Sequence, residues 1–273
     1  MTTPRRLRIA LLTYRGDPHV GGQGVYVHYL SRSLAELGHR VEVFSGQPYP
    51  ELAEGVALTP VPSLDLYRPD DPFRRPAFRD LCAPTNLLEY GLVCCGAFPE
   101  PLTFSLRAAR AIEARRGDFD VVHDNQCLAY GLLRLRRALP VVATVHHPIT
   151  VDRDLAVAAA PTRRERARLR RWYGFTRMQG RVARRLPRLL TVSAASRGDV
   201  SSAFGVPEHR IGIVHNGVDP DLFRPLEDVA EIPGRIVALV SADLPMKGLV
   251  HLVEAVAKVR TERAADLVLV GKG

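Results

Sequence analysis

An α/β protein built on parallel sheets is what the sequence predicts, on three observations. Short apolar runs, RIALLT at 8–13, FDVVH at 119–123 and PVVATV at 140–145, lack the alternation of a strand with one wet face, so they read as strands covered on both sides. Segments of helical spacing separate them. Polar residues gather where the runs end, Asp124 and Asn125 after one, His146 and His147 after another, and in such sheets that edge is where ligands bind.

Taken in order, residues 7–45 make a complete strand, loop, helix, strand unit. After the strand at 8–13, Val25, Tyr26, Tyr29, Leu30, Leu34 and Leu37 recur at helical spacing, and Gly38 stands where a helix end takes a left-handed residue. The strand pattern resumes at 41–44. Between strand and helix, Gly21, Gly22 and Gly24 let backbone N–H groups approach a ligand, and the helix N-terminus adds partial positive charge suited to phosphate. A dinucleotide site fits poorly. Residues 22–27 read G-x-G-x-x-V without the third glycine, and Phe44-Ser45-Gly46 stands where an acid would end the second strand.

Residues 47–101 are proline-rich and irregular, so loops with short strands and helices are expected there. A helix is expected from Pro101 through Arg115, a strand at 118–123, a short helix at 130–137 and a strand at 140–145. One long basic helix follows at 162–185, with Leu169, Trp172, Phe175, Met178, Val182 and Leu186 as its apolar stripe. Strands at 189–193 and 211–214 flank a short helix at 195–204, and Asn216-Gly217 is a tight-turn pair. From Arg235 the alternation begins afresh with a strand at 236–240, a helix at 247–259 and a strand at 266–270. Two strands and one helix cannot cover their own apolar faces. A first domain is therefore expected at 1–225, and residues 226–273 are expected to be the incomplete start of a second.

With 273 residues, 46% hydrophobic and 25% charged, the chain is long enough to bury a sizeable core. Cys82, Cys94, Cys95 and Cys127 show neither metal spacing nor disulfide density, which points to packing roles in a reducing cytoplasm. The apolar run near the N-terminus is too short for a signal-peptide core or a membrane span. The formal charge of +9 resides in residues 151–190, where twelve arginines face Asp152, Asp154 and Glu165. Such a segment suits an anionic membrane surface, nucleic acid or water alone. Against nucleic acid, Trp172 and Phe175 lie on the apolar stripe and are not interleaved with the arginines.

The Gly21-Gly22 loop with its helix ending LAELGHRVEV, DVVHDN at 120–125, TVHHP at 144–148, TVSAAS at 191–196 and VHNGVDPDLFRP at 214–225 together resemble family 4 glycosyltransferases. The resemblance covers nearly the whole chain. It implies the GT-B fold, two Rossmann-like parallel-sheet domains, with the second one truncated here. It also implies a retaining, metal-independent transfer of a sugar from a nucleotide diphosphate sugar to an acceptor, with no cofactor. By this resemblance His146 is the catalytic histidine, Gly21 and Gly22 approach acceptor and donor diphosphate, and Lys247 holds the diphosphate. Gly271 and Gly273 lie near the nucleotide. Ser241-Ala242 stands where the family has Gly-Arg, so Ser241 takes the place before the lysine segment without the usual arginine contact. The family's paired-glutamate motif would fall beyond Gly273, so the chain is expected to be inactive alone.

His123, Asn125, His147 and Ser193 join the acceptor- and donor-binding set because each ends or follows a strand at the same sheet edge, although His123 and Asn125 could equally bond a loop. Expected partners are a nucleotide sugar, an acceptor that a lipid could carry, and an anionic membrane met by the 162–185 helix, which would place the protein at the inner membrane surface. The alternative is a binding protein for anionic surfaces on a similar fold, which the arginine helix favours.

Overall fold

The computed structural model describes residues 5–18, 22–68, 70–226, 229–239 and 248–271. They form two compact units, Met1–Asn216 and Gly217–Gly273.

The first unit opens with β1 (Arg8–Thr13), α1 (Gln23–Glu36) and β2 (Arg40–Ser45). The proline-rich stretch holds β3 (Ala57–Pro60) and the helices α2 (Phe78–Leu81) and α3 (Pro84–Cys94). Then come α4 (Glu100–Ala114), β4 (Val121–Asn125), α5 (Tyr130–Leu135) and β5 (Val141–Thr144). Three helices follow, α6 (Thr150–Ala159), α7 (Arg163–Trp172) and α8 (Phe175–Ala183), and the unit ends with β6 (Leu189–Thr191), α9 (Ala194–Phe204) and β7 (Ile211–Ile213). The seven strands make one sheet in the order β3-β2-β1-β4-β5-β6-β7, parallel throughout. The chain winds outward from β1 to β3, then returns to β4 on the other side of β1. The connections leaving β1 and β4 therefore diverge, which opens a crevice at the C-terminal ends of those two strands.

Both faces of the sheet are covered. On one, Ala10, Leu12, Val122, Ala143 and Leu189 pack with α4, α5, α8 and α9, and Phe44 meets Phe119 edge to face at 5.7 Å. On the other, Ile9, Leu11, Val41 and Val43 pack with Val27 of α1. The apolar runs were legible because both faces are dry.

Four expectations need correction. Of the α1 stripe, Leu30 and Leu34 pack against the core beside buried Gly24, Val27 and Ser31, while Val25 and Leu37 are 42% and 72% exposed. Gly24 lets the start of the helix lie against the preceding loop, where a Cβ would meet Asp17 O and Gly16 O. The single basic helix at 162–185 is two helices, broken at Tyr173-Gly174, where the bonding tightens to Gly174 N–H donating to Arg171 O at 3.0 Å. The break lets Trp172 and Phe175 both reach Phe98, at 5.2 and 5.4 Å between ring centroids. A helix that the sequence did not announce, α6, fills 150–159. Of the four cysteines expected to pack, Cys82, Cys94 and Cys95 are exposed on the α2–α3 stretch, and Cys127 is buried. Smaller shifts are instructive: β4 runs on through Asp124 and Asn125, both wholly buried, since neighbouring strands carry its ladder past the end of the apolar run.

The second unit contains β8 (Arg235–Leu239), α10 (Leu249–Val259) and β9 (Asp266–Val270). β8 and β9 pair in parallel, in a sheet of their own. Among the described residues of this unit, Val256 and Ala265 are the buried apolar side chains, while Leu239 is 81% exposed.

Candidate active site

The crevice between the ends of β1 and β4 is lined from three loops. The first follows β1. Thr13 is buried and its hydroxyl donates to Arg15 O at 2.7 Å. Tyr14 is half-buried beside Gln23, and desolvation pushes its phenol up to about 12. Gly22 caps α1 at φ 72, a left-handed conformation that a glycine adopts without strain, and open space surrounds it. Gly24, one turn-step later, is there for packing, because a Cβ on it would lie 2.1 Å from Asp17 O. Gly21 lies outside the described residues.

The second and third loops, after β4 and β5, are locked together. In register, Asn125 sits opposite Thr144. The Gln126 N–H donates to Thr144 O at 2.9 Å, and its side chain clamps the next loop at both ends. Gln126 Oε1 accepts from His146 N at 2.7 Å and Nε2 donates to His147 O at 3.0 Å. Gln126 holds φ 56 and Leu128 φ 49, uncommon for side chains of their size. Asp124 helps impose this turn, its Oδ2 accepting from Leu128 N at 2.9 Å, and the Gln179 amide of α8 donates to Gln126 O at 3.3 Å.

His146 emerges from this frame half-buried. Its Nε2 lies 2.8 Å from Asn125 Oδ1, an acceptor, so the ring carries its proton on Nε2 and leaves Nδ1 as a lone pair. Tyr26 of α1 meets the ring edge to face at 4.5 Å. Burial, with His147 adding a smaller effect, lowers the His146 pKa to about 4, so the imidazole is neutral at physiological pH. Asn125 Nδ2 is buried without a hydrogen-bond partner. His147 points to solvent and its Nε2 meets Asp152 Oδ2 at 3.1 Å.

The sequence-based candidates therefore divide. Asn125 and His146 are joined by a hydrogen bond, and Tyr26 of the helix that Gly22 caps packs on the His146 ring, while the His147 side chain is exposed. His123 lies one layer below, its Nε2 2.8 Å from Thr144 Oγ1, and burial lowers its pKa to about 4. Ser193 caps α9, its hydroxyl accepting from Ser196 N at 3.0 Å. Gly271 follows β9 in the second unit; Ser241, Lys247 and Gly273 lie outside the described residues. Gln126 and Tyr26 were missed. Gln126 follows a strand-end motif, but its role depends on a backbone turn that no residue type announces. Among the described residues no three His, Cys, Asp or Glu side chains gather to hold a metal.

Sheet, switch-point crevice and strand-end histidine define a GT-B type domain. The fold is shared with Anabaena Alr3699/HepE in complex with UDP and glucose (TM-score 0.59, 14% identity, 98% of this chain and 62% of that one). It is shared equally with the glycosyltransferase WaaG of lipopolysaccharide biosynthesis (TM-score 0.58, 16% identity, 96% and 62%). The chain belongs to Glycosyltransferase Family 4, whose sequence model matches residues 20–222. It is 57% identical, over 268 residues, to the MMP alpha-(1->4)-mannosyltransferase of Mycolicibacterium hassiacum, and the alignment covers 97% of this chain and 64% of that protein. It is 25% identical to the D-inositol 3-phosphate glycosyltransferase of Streptomyces scabiei, covering 96% of this chain and 54% of that one. The chain thus spans between half and two thirds of these relatives.

Proposed function

We propose that the protein to which this chain belongs is a retaining mannosyltransferase that uses a nucleotide diphosphate sugar. The observation that carries the reading is the 57% identity to a mannosyltransferase over 97% of the chain. In this reading the bond from the sugar anomeric carbon to the diphosphate breaks, its electron pair staying on phosphate, and the acceptor oxygen takes that carbon while losing its proton. His146 orients a donor sugar hydroxyl through its neutral ring, with Asn125 fixing the proton on Nε2. Gly22 and the N-terminus of α1 are proposed to serve the diphosphate, and Lys247, Ser241, Gly271 and Gly273 are proposed as diphosphate-binding residues on the family resemblance alone. No metal or cofactor enters the reading. Activity is proposed to need chain beyond these residues.

The arginines of α7 add a proposed contact with an anionic membrane surface. Its capping box, Thr162 accepting from Glu165 N at 3.1 Å, starts a helix whose arginines all face solvent. Among the described residues no helix is long and apolar enough to cross a membrane, so this contact would be peripheral.

The test is a thermal-unfolding screen of the full-length protein with GDP, UDP and ADP, followed by mass spectrometry of GDP-mannose and other sugar donors. One diphosphate should protect, by about 2.7 kcal/mol at a hundred times its Kd, and the matching sugar donor should be hydrolysed slowly. No protection by any of them would sink the transferase reading.

A further inference from the structure

The sheet stops supporting the histidine loop one residue before His146. Val145 is still held by β6, its N–H donating to Leu190 O at 2.8 Å and its carbonyl accepting from the Thr191 hydroxyl at 2.7 Å. Past it, His146 N and His147 O both turn to a side chain of the neighbouring loop, Gln126. Its amide meets an N–H at Oε1 and a carbonyl at Nε2, 2.7 and 3.0 Å away, so a single orientation of the group serves both. A glutamate would have no donor for His147 O, and an asparagine is one methylene shorter.

The backbone of Gln126 sharpens the point. It is 3% exposed and sits at φ 56, a left-handed conformation that glycine takes without strain and glutamine does not. The turn does not depend on the Gln126 amide. It is built by Asp124 Oδ2, which accepts from Leu128 N at 2.9 Å, and by Gln179 Nε2, which donates to Gln126 O and Cys127 O at 3.3 Å each. Both side-chain bonds of Gln126 leave this turn for the histidine loop. A strained position that keeps a long side chain for contacts outside its own turn points to a task at those contacts.

The His146 ring has neighbours of its own, Asn125 Oδ1 at 2.8 Å from Nε2 and Tyr26 edge to face at 4.5 Å. Those contacts form only where the His146 backbone is placed correctly, since a shift of the main chain carries the whole imidazole with it. Gln126 holds that backbone.

We infer that Gln126 is a positioning residue for His146: by gripping His146 N and His147 O it sets the imidazole against Asn125 and Tyr26 in the geometry that turnover requires. The inference rests on the transferase reading for turnover, and on the clamp alone for the placing of the ring.

The test compares the wild type with Gln126→Gly and Gln126→Met in the full-length protein. The glycine relieves the left-handed backbone while removing both clamp bonds, and the methionine keeps the length of the side chain while removing the same two bonds. Side-chain nitrogen NMR spectra of histidine-labelled protein read the ring without substrate, the His146 signals being those lost in His146→Ala. The wild type should show one His146 species protonated on Nε2, and both variants should show those signals split or broadened. With GDP-mannose as donor, both should lower kcat by at least about tenfold with little change in KM. Neither should cost more activity in a His146→Ala background, because the clamp acts through that ring. His146 signals unchanged in both variants, or an equal loss of activity in the two backgrounds, would overturn the positioning role and spare the transferase reading. No turnover of GDP-mannose by the wild type, together with no protection by a nucleotide diphosphate, would remove the transferase reading, and the spectra would then decide whether Gln126 places the ring.

Discussion

At the residue scale, His146 and its frame carry the sharpest predictions. His146→Ala should lower kcat by on the order of 10² with a small change in melting temperature, since a positioned polar group is lost and little apolar packing goes with it. Steady-state rates with the donor found by the nucleotide screen check this. Buried titratable groups also set the pH dependence of stability. His123 and His146 have folded-state pKa values of about 4, below the ordinary 6.5. Each therefore contributes stability that is fully present above pH 6.5 and is lost as pH falls toward 4, on the order of 2 kcal/mol apiece. Asp124 works in the opposite sense, because burial raises its carboxyl to about 7. Its contribution is present below about pH 4 and is lost as pH rises to 7. Asp124→Asn keeps the acceptor for Leu128 N and removes that slope. Urea midpoints at pH 4.5, 6 and 7.5 should show the wild type falling relative to Asp124→Asn as pH rises; parallel curves would contradict this account.

At the scale of elements, the loop leading into α1 separates two glycines that the sequence could not tell apart. A Cβ on Gly24 would lie 2.1 Å from Asp17 O and 2.3 Å from Gly16 O, both backbone atoms, so Gly24→Ala must push the helix off the loop. A loss of about 2–4 kcal/mol is expected by thermal or urea unfolding, comparable with overpacking a core. Gly22 has nothing near a Cβ but a positive φ, so Gly22→Ala should cost only about 1 kcal/mol. The basic helix offers a second test. Arg163, Arg164, Arg170 and Arg171 changed together to Gln should reduce co-sedimentation with anionic vesicles. Wild-type binding should fall steeply with salt, as screening at about 10 Å in 0.1 M salt demands. Equal, weak binding of both proteins to anionic and neutral vesicles would leave α7 as a solvated face.

At the scale of the molecule, the two units differ in how much apolar surface each keeps from water. β1 and β4 are central in a seven-stranded sheet with cores on both faces. β8 and β9 stand as a pair, with Leu239, Val250 and Leu269 exposed. In the 273-residue chain, hydrogen exchange should be slower by orders of magnitude at β1 and β4 than at β8 and β9, because protection follows local burial. Comparable protection in the two sheets would mean that the second unit has cover that its own residues do not supply.

By itself the sequence determined the strand-helix alternation and the sheet edge where the polar residues meet. Apolar runs report burial on both faces, and His146, His147 and Asn125 stand just where those runs end. It marked the restart of alternation at Arg235 for the same reason. What it left open is what depends on two distant segments meeting. The start of α1 lies against the preceding loop because Gly24 fits against Asp17. The basic run broke at Tyr173-Gly174 so that Trp172 and Phe175 could share Phe98. Gln126 became the clamp of the histidine loop through a left-handed turn that Asp124 and Gln179 enforce. Periodicity is a property of neighbours along the chain, whereas register, close approach and side-chain convergence are fixed only when packing forces remote groups into one volume.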